Sequence, residues 1–180
     1  MNNLKLSISY TSRNKRLNET HGKDYFFVSE KKFKNLMKKN FFIESEKNFN
    51  NFYGSPYKNI KSSNKNSEYI LFDIDWKGAR KIRKNYPKDN IIDFFILPPS
   101  KKELEKRLIK RGRDNKEEIK LRLSYALKEM LHYKEYKYVL INKNIKETVN
   151  DIKKIIEYYK LKENNKKNLN TKLKRIINRN

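Results

Sequence analysis

Three features of the sequence predict an α/β fold built on a parallel sheet. Residues 68–75 and 91–97 form near-continuous apolar runs, as strands buried on both faces of a parallel sheet do. Helix signals follow each run, and alternation of strands with helices is typical of parallel α/β folds. Residues 4–10 alternate apolar and polar side chains, which adds a half-buried strand at the start of the chain.

The N-terminal half is predicted to contain a small mixed lobe, residues 13–67. Its predicted elements are a strand over 26–28, a helix over 30–40 capped by Ser29, a strand-like segment over 41–52 and a polar loop over 62–67. Asn48, Asn50 and Asn51 favour turns, so the strand-like segment is predicted to break there.

The predicted α/β core comprises residues 1–12 and 68–161. Ser100 and Glu103 have the spacing of a capping box that opens a helix, and Pro87 ends the helix before it. The predicted elements are helices over 78–86, 101–111, 117–133 and 145–159 and a strand over 137–142. Residues 162–180, rich in Lys and Asn, are predicted to be a disordered basic tail.

Composition limits the class of protein. A length of 180 residues fits one domain, with room for small inserted lobes. The absence of Cys excludes disulfides, Cys-bound metal and a thiol nucleophile, and it suits a reducing compartment. No apolar run approaches the roughly 20 residues that span a membrane, and the start has no apolar signal segment. We therefore expect a cytoplasmic protein with no membrane partner.

The net charge of +24 has two interpretations. Such a charge is typical of proteins that bind nucleic acid. However, Lys residues are spread over every segment, and no basic tract is interleaved with aromatic residues in a stacking pattern. The abundance of Lys, Asn and Ile with only four Gly and four Pro favours a bias of the whole chain. No specific nucleic-acid partner is expected, although a nucleic-acid-binding protein remains the alternative from another class.

Arg13 and Arg16 follow the first predicted strand, with Tyr25 further along the same stretch. Two guanidiniums three residues apart in a loop suit a phosphate dianion, because the planar fork of Arg matches two phosphate oxygens at once. The alternative for this stretch is a solvated basic loop.

Two acids end the apolar run at 68–75. Asp73 and Asp75 are two residues apart, so within a strand they would point to the same side. Acids at the carboxyl end of a parallel strand usually face a ligand crevice. The alternative is that Asp73 pairs with a nearby cation, and the sequence favours a site role for Asp75.

An ordered set of motifs resembles the guanylate kinase family. The stretch from Ser9 to Tyr25 matches the family's Ser-x-Thr-Thr-Arg-x-x-Arg-x-Gly-Glu-x-x-Gly-x-Asp-Tyr, with departures. The later matches are Phe42-Ile43-Glu44, Tyr53-Gly54-Ser55, Asp73-Ile74-Asp75-Trp76-Lys77-Gly78, Pro98-Pro99-Ser100 and Arg107-x-x-x-Arg111-Gly112. Each motif alone is weak, whereas the order of the set is specific, and the resemblance covers roughly residues 4–161.

The resemblance implies an enzyme that transfers a phosphoryl group from ATP to GMP with Mg²⁺. It implies that Glu44 binds the guanine edge with Asp75 beside it, and that Ser55 and Ser9 supply hydroxyls. It places Arg13, Arg16, Tyr25 and Tyr53 on the GMP phosphate. Considered without the resemblance, Glu44 would be interpreted as an exposed strand-end acid and Tyr53 as a half-buried aromatic.

The resemblance also assigns the residues that face ATP. Arg107, Arg111 and Arg122 match arginines that stabilise the transferred phosphoryl group, and residues 112–122 match a helical lid with Gly112 as a hinge or a helix C-cap. Asn142 matches a position near the adenine. Asp73 is a candidate for orienting Mg²⁺ or its waters, and no residue is assigned as a direct metal ligand.

The family's first strand and its Gly-x-x-Gly-x-Gly-Lys-Ser/Thr phosphate loop have no counterpart in this sequence. The four glycines, Gly22, Gly54, Gly78 and Gly112, lie outside any such motif. The interpretation that the sequence favours is an N-terminal segment that precedes Met1 and carries the loop. The alternatives are a degenerate kinase that still binds GMP and a guanylate-kinase-like module that binds proteins.

Overall fold

The computed structural model describes residues 4–63, 69–110 and 116–177. Contacts between Cα atoms divide the chain into two compact units, Met1–Ile91 and Ile92–Asn180. Each unit is described by itself. None of the described helices combines the length and the apolar character needed to cross a membrane.

The first unit contains six strands and three helices within its described residues. In chain order they are β1 (Leu4–Leu6), β2 (Tyr10–Thr11), β3 (Phe26–Phe27), α1 (Glu30–Lys38), β4 (Phe42–Asn48), β5 (Asn51–Pro56), α2 (Lys58–Ser63), β6 (Tyr69–Leu71) and α3 (Trp76–Asn85). β1 and β6 pair in parallel, and the other four strands form a mixed sheet in the order β3–β2–β5–β4. The mixed lobe that the sequence predicted therefore has a mixed sheet.

A tight hairpin joins β4 to β5. Phe49 and Asn50 form its turn with φ of 45° and 62°, the left-handed values that a two-residue type I′ connection requires. Asn adopts this conformation more readily than most residues. The predicted break of the segment 41–52 near its asparagines is confirmed.

Helix α1 supplies the centre of the core of the first unit. Its predicted cap is confirmed, because the Ser29 hydroxyl accepts a hydrogen bond from the Lys32 amide at 3.2 Å. Phe33 is completely buried and stacks on Phe42 and Phe52, with ring centroids 4.6 and 5.5 Å apart. This aromatic stack fixes α1 against the β4–β5 hairpin.

The strand predicted over residues 68–75 is shorter in the structure. β6 ends at Leu71, and Asp75 is the N-cap of α3, with extended φ and ψ of −77° and 175°. The prediction that Asp73 and Asp75 share one side of a strand is therefore wrong, because neither residue lies within a strand. An acid at the N-cap satisfies a helix amide, and this capping begins α3 at Trp76.

The second unit has one parallel strand pair and three helices among its described residues. They are β7 (Phe94–Leu97), α4 (Lys101–Lys110), α5 (Lys116–Met130), β8 (Tyr138–Ile141) and α6 (Ile145–Ile177), and β7 pairs with β8. The Ser100 hydroxyl accepts a hydrogen bond from the Glu103 amide at 3.1 Å, which confirms the predicted start of α4. Leu108, Leu123, Ile156 and Tyr159 are buried in this unit.

Helix α6 extends well beyond its predicted end. The structure continues it from Ile145 to Ile177, whereas the sequence predicted disorder from residue 162. No Gly or Pro occurs between Ile145 and Ile177, so nothing in that stretch breaks a helix once it has begun. The polar composition that suggested disorder is here the composition of an exposed helix.

Candidate functional site

A buried acid lies beside two hydroxyls on the mixed sheet. Glu44 of β4 is only 6% exposed, and it pairs across the hairpin with Ser55 of β5, just after a bulge. The Ser55 side chain forms a hydrogen bond with Glu44. The Ser9 and Ser55 hydroxyl oxygens are 3.1 Å apart. The structure thus brings together three residues that the sequence predicted to bind a purine base.

The N-terminus of α3 adds Asp75 to this group. Asp75 caps the helix, and its Oδ1 accepts a hydrogen bond from the Gly78 amide at 2.9 Å. Gly78 itself lies against Glu44, since a Cβ atom built on it would be 2.8 Å from Glu44 Oε2. The residues Ser9, Glu44, Ser55 and Asp75, with Gly78, are called the acidic cluster below.

Burial makes the ionised form of Glu44 unfavourable. Desolvation raises the pKa of Glu44 above its ordinary value, and the negative charge of Asp75 raises it further. The hydrogen bonds from Ser55 and the charge of Lys81 act in the opposite direction without cancelling the effect. A ligand that donates hydrogen bonds to this carboxylate would favour its charged form.

A second cluster is organised by an ion pair. Nη2 of Arg13 donates to both carboxylate oxygens of Glu19 at 2.7 and 2.9 Å, and the Arg16 amide donates to Glu19 Oε2 at 2.9 Å. The Arg13 and Glu19 side chains are 14% and 13% exposed. Burial alone would raise the pKa of Glu19, but the contacts with Arg13 and Arg16 lower it. Glu19 therefore holds both arginines in one loop.

Two tyrosines complete this arginine cluster. The Tyr25 and Tyr53 rings are 6.0 Å apart, and the Arg13 guanidinium carbon lies 5.7 Å from the Tyr25 ring. Tyr53 also forms a hydrogen bond with Arg13. Burial raises the pKa of Tyr25, and the negative charge of Asp73 contributes in the same direction. Arg13, Arg16, Glu19, Tyr25 and Tyr53 are called the arginine cluster below.

Strand β5 connects the two clusters. Tyr53 belongs to the arginine cluster and Ser55 to the acidic cluster, and residues two apart on a strand point to the same face about 7 Å from each other. β2 pairs with β5 through Thr11 and Tyr53, and it leads directly into the loop that carries Arg13. A buried carboxylate on the sheet and two guanidiniums in the adjoining loop thus lie in neighbouring parts of the first unit.

In the second unit, two of the residues predicted to face ATP, Arg107 and Asn142, lie together. Arg107 donates from Nε to Glu103 Oε1 at 2.9 Å and from Nη2 to the Asn142 carbonyl at 3.0 Å. Asn142 follows β8, which ends one residue earlier than the strand predicted over 137–142. These two residues line an apolar cavity of about 200 Å³ together with Ile96, Leu97, Pro98, Leu104 and Leu108.

Arg122 is not brought into these groups, whereas Asp73 lies near enough to the arginine cluster for its charge to act on Tyr25. Arg122 lies half-buried on α5, and Asp73 is an exposed residue in the connection before α3. Arg111 and Gly112 lie outside the described residues. Within the described part of the chain, no group of three or more His, Asp or Glu side chains could hold a metal ion.

Two residues of the clusters were given no role by the sequence. Glu19 lies three residues after Arg16, and this spacing of opposite charges was a detectable signal. Gly78 ends the motif Asp73–Gly78 that supports the resemblance, but the motif gave it no role, because that role depends on how closely α3 approaches β4. That distance exists only in the folded chain.

The parallel strand pairs and the two clusters define an α/β protein with a site suited to a nucleotide. Comparisons with known proteins identify the family within this class. A family model described as guanylate kinase matches residues 1–159. The chain is 48% identical over 155 residues to a guanylate kinase of Rickettsia prowazekii (strain Madrid E), covering 86% of this chain and 78% of that protein. It is 41% identical over 160 residues to one from Haemophilus ducreyi (strain 35000HP / ATCC 700724), covering 89% and 77%.

A solved structure gives the same result. The crystal structure of guanylate kinase from Anaplasma phagocytophilum superposes with a TM-score of 0.76 at 35% identity, covering 87% of this chain and 76% of that one. The chain belongs to the guanylate kinase family, a family of nucleoside monophosphate kinases.

Proposed function

We propose that the chain binds GMP on its first unit and transfers a phosphoryl group from ATP to this GMP, giving GDP and ADP. The observation that carries this proposal is the buried Glu44, which lies with Asp75 and Ser55 beside the arginine cluster on one sheet. Membership of the guanylate kinase family supports the reaction. A cytoplasmic location remains a prediction from the sequence.

The acidic cluster is proposed to read the base. Guanine presents N1–H and N2–H donors on one edge, whereas adenine has an acceptor at N1. A carboxylate at Glu44 accepts both guanine donors and meets lone-pair repulsion from adenine. Ser55, with Ser9 against its hydroxyl, is proposed to donate toward O6, and Asp75 adds a second acceptor near the same edge.

The arginine cluster is proposed to hold the GMP phosphate. Arg13 has its guanidinium fixed by Glu19 and by the Asn14 carbonyl at 2.7 Å, so little side-chain entropy is lost when a phosphate binds. Arg16, Tyr25 and Tyr53 add a second guanidinium and two hydroxyls. Charge-assisted hydrogen bonds of this kind are the strong ones, about twice as strong as neutral pairs.

The second unit is proposed to contact ATP. Arg107 and Asn142 line the cavity together with apolar side chains, so it offers an apolar surface for a base and a cation for phosphate. Arg111 and Arg122 are proposed to add positive charge, since phosphoryl transfer depends on charge and position more than on covalent help. Bound Mg²⁺ would supply positive charge to the transferred phosphoryl group, and Asp73 would be the candidate to orient its waters.

The test combines turnover with base discrimination. We expect a coupled assay to show ADP formation with GMP and ATP but not with AMP and ATP. We expect Glu44→Gln to reduce the preference for GMP over AMP by about 1–3 kcal/mol, because an amide replaces one acceptor with a donor. Unchanged selectivity in calorimetry would remove Glu44 from the base site.

Two other functions are distinguished by the same measurements. GMP binding without turnover would support a GMP-binding protein that does not transfer phosphate. Peptide binding with no affinity for GMP would support the protein-interaction module instead.

A further inference from the structure

We propose that Gly78 is a positioning residue for Glu44 and thereby determines how well the site discriminates guanine from related bases. The space left by its missing side chain is filled by the Glu44 carboxylate. This inference deepens the proposed function and rests on it, because it concerns the base of the same nucleotide.

The geometry leaves no room for a methyl group at this position. A Cβ atom on Gly78 would lie 2.8 Å from Glu44 Oε2, 3.2 Å from Glu44 Cδ and 3.4 Å from Ile74 Cβ. The first of these distances is shorter than real Cβ contacts, so something has to move. The closest atoms belong to the end of the Glu44 side chain, and therefore the carboxylate moves rather than the backbone.

Backbone freedom does not explain the glycine. Gly78 lies within helix α3, and among the described glycines only Gly22 has a positive φ. Gly is less favourable than Ala inside a helix, so local helix stability alone would favour a side chain here. The close approach of α3 to Glu44 is the remaining reason for a glycine.

The same approach places the Glu44 carboxylate against the first turn of α3, which offsets part of the desolvation that raises its pKa. The first turn of a helix carries exposed amides and a partial positive charge, which stabilise a nearby carboxylate. Asp75 already accepts the Gly78 amide at 2.9 Å. Glu44 lies against this same turn, is bound by Ser55 on its other side, and is therefore held between α3 and β5.

The test is the ratio of affinities for GMP and IMP, whose bases differ by the 2-amino group that Glu44 is proposed to bind. We expect Gly78→Ala to weaken GMP binding about tenfold in calorimetry, to change IMP binding less and so to lower the ratio. Displacement of a group by about 1 Å at a binding site can have effects of this size. Lys77→Ala, an exposed neighbour on the same turn, is the control and should keep the ratio.

A second variant distinguishes positioning from general damage. Glu44→Asp shortens the side chain by one methylene, so adding it to Gly78→Ala relieves the contact. We expect the double variant to recover part of the GMP preference that Gly78→Ala loses, although Glu44→Asp alone lowers that preference. Thermal unfolding of each variant shows whether it is folded.

The outcomes separate the two proposals. An unchanged GMP to IMP ratio in folded Gly78→Ala overturns the role of Gly78, as does an equal loss for both nucleotides with no recovery in the double variant. If the wild-type chain binds neither nucleotide, the proposed function fails. In that case the position of the Glu44 carboxylate is tested by ¹³C NMR. If the titration curve of the Glu44 carboxyl group is the same in Gly78→Ala as in wild type, the inference is overturned.

Discussion

Glu44 has to satisfy two opposing requirements. In the proposed site, the burial of Glu44 would exclude water from a bound base and so strengthen the hydrogen bonds between them. The same burial, next to Asp75, penalises its charge in the empty site and raises its pKa. A residue that serves binding at the expense of stability is typical of functional sites.

The first prediction concerns the loss of stability caused by burying the charge of Glu44. The folded pKa of Glu44 lies above its ordinary value of 4.5. The contribution of Glu44 to the free energy of unfolding is therefore complete below pH 4.5 and is lost as the pH rises through the folded pKa. We expect Glu44→Gln to remove this loss and to raise Tm by a few degrees at pH 8, since about 1 kcal/mol corresponds to about 2–4 °C in a chain of this size.

The measurement is thermal unfolding of the nucleotide-free chain between pH 4 and pH 8. Glu157→Gln removes one negative charge from an exposed position on α6 and controls for the change in net charge. If Glu44→Gln unfolds at a lower temperature than wild type at every pH, the hydrogen bonds of the carboxylate outweigh its desolvation.

The second prediction concerns the fork of Arg13. Arg13 donates from both of its terminal nitrogens while Glu19 and Asn14 hold its plane, and a Lys ammonium has no such plane. We expect Arg13→Lys to weaken GMP binding about tenfold and to leave guanosine binding unchanged, because guanosine has no phosphate. Calorimetry with both ligands checks this. Equal losses for GMP and guanosine would place Arg13 away from the phosphate.

At the scale of elements, the sequence correctly predicted features that depend on a few neighbouring residues, namely helix caps and a turn. Ser29 and Ser100 cap helices where the sequence predicted, and the asparagines mark the hairpin turn. The errors occur at strand and helix ends. Apolar character continues past Leu71, yet the strand stops because Asp75 is recruited as a helix cap. Whether a polar segment such as 162–177 stays helical depends on the helix that it continues.

The third prediction tests the hairpin turn. Phe49 has a positive φ of 45°, which is unfavourable for a bulky residue, whereas Asn tolerates it. We expect Phe49→Asn to raise the free energy of unfolding by about 1 kcal/mol, measured by chemical denaturation. Asn50→Gly, at a position that already has a tolerant residue, should have a smaller effect. A lower stability for Phe49→Asn would show that the contacts of its ring outweigh the strain.

At the scale of the whole molecule, family resemblance predicted more of the site than residue chemistry did. Arg13, Arg16 and Tyr25 suggested a phosphate site from their types and spacing, but Glu44 and Tyr53 became candidates only through the ordered motifs. The structure then gathers Glu44 with Ser9, Ser55 and Asp75. Gly78 belongs to one of these motifs, but its contact with Glu44 could not be predicted, because neither element alone determines the distance between them.

The net charge of +24 affects every binding measurement on this chain. It attracts any anion at long range, so ATP, GMP and RNA are all expected to associate at low salt. Screening weakens such association strongly, since the Debye length falls from about 10 Å at 0.1 M to about 3 Å at 1 M. A buried carboxylate that accepts base donors at short range is much less sensitive to salt.

The last prediction uses this difference. We expect calorimetry at about 0.15 M and 0.5 M salt to show GMP binding that is tighter than ATP binding and persists at the higher salt, because the residues proposed to bind GMP are assembled in the first unit around the buried Glu44. Guanosine is the control for the base without the phosphate, and AMP is the control for the phosphate with a different base. ATP binding as tight as GMP binding would contradict the asymmetry. RNA binding that falls steeply with salt and that GMP does not displace would favour the nucleic-acid alternative.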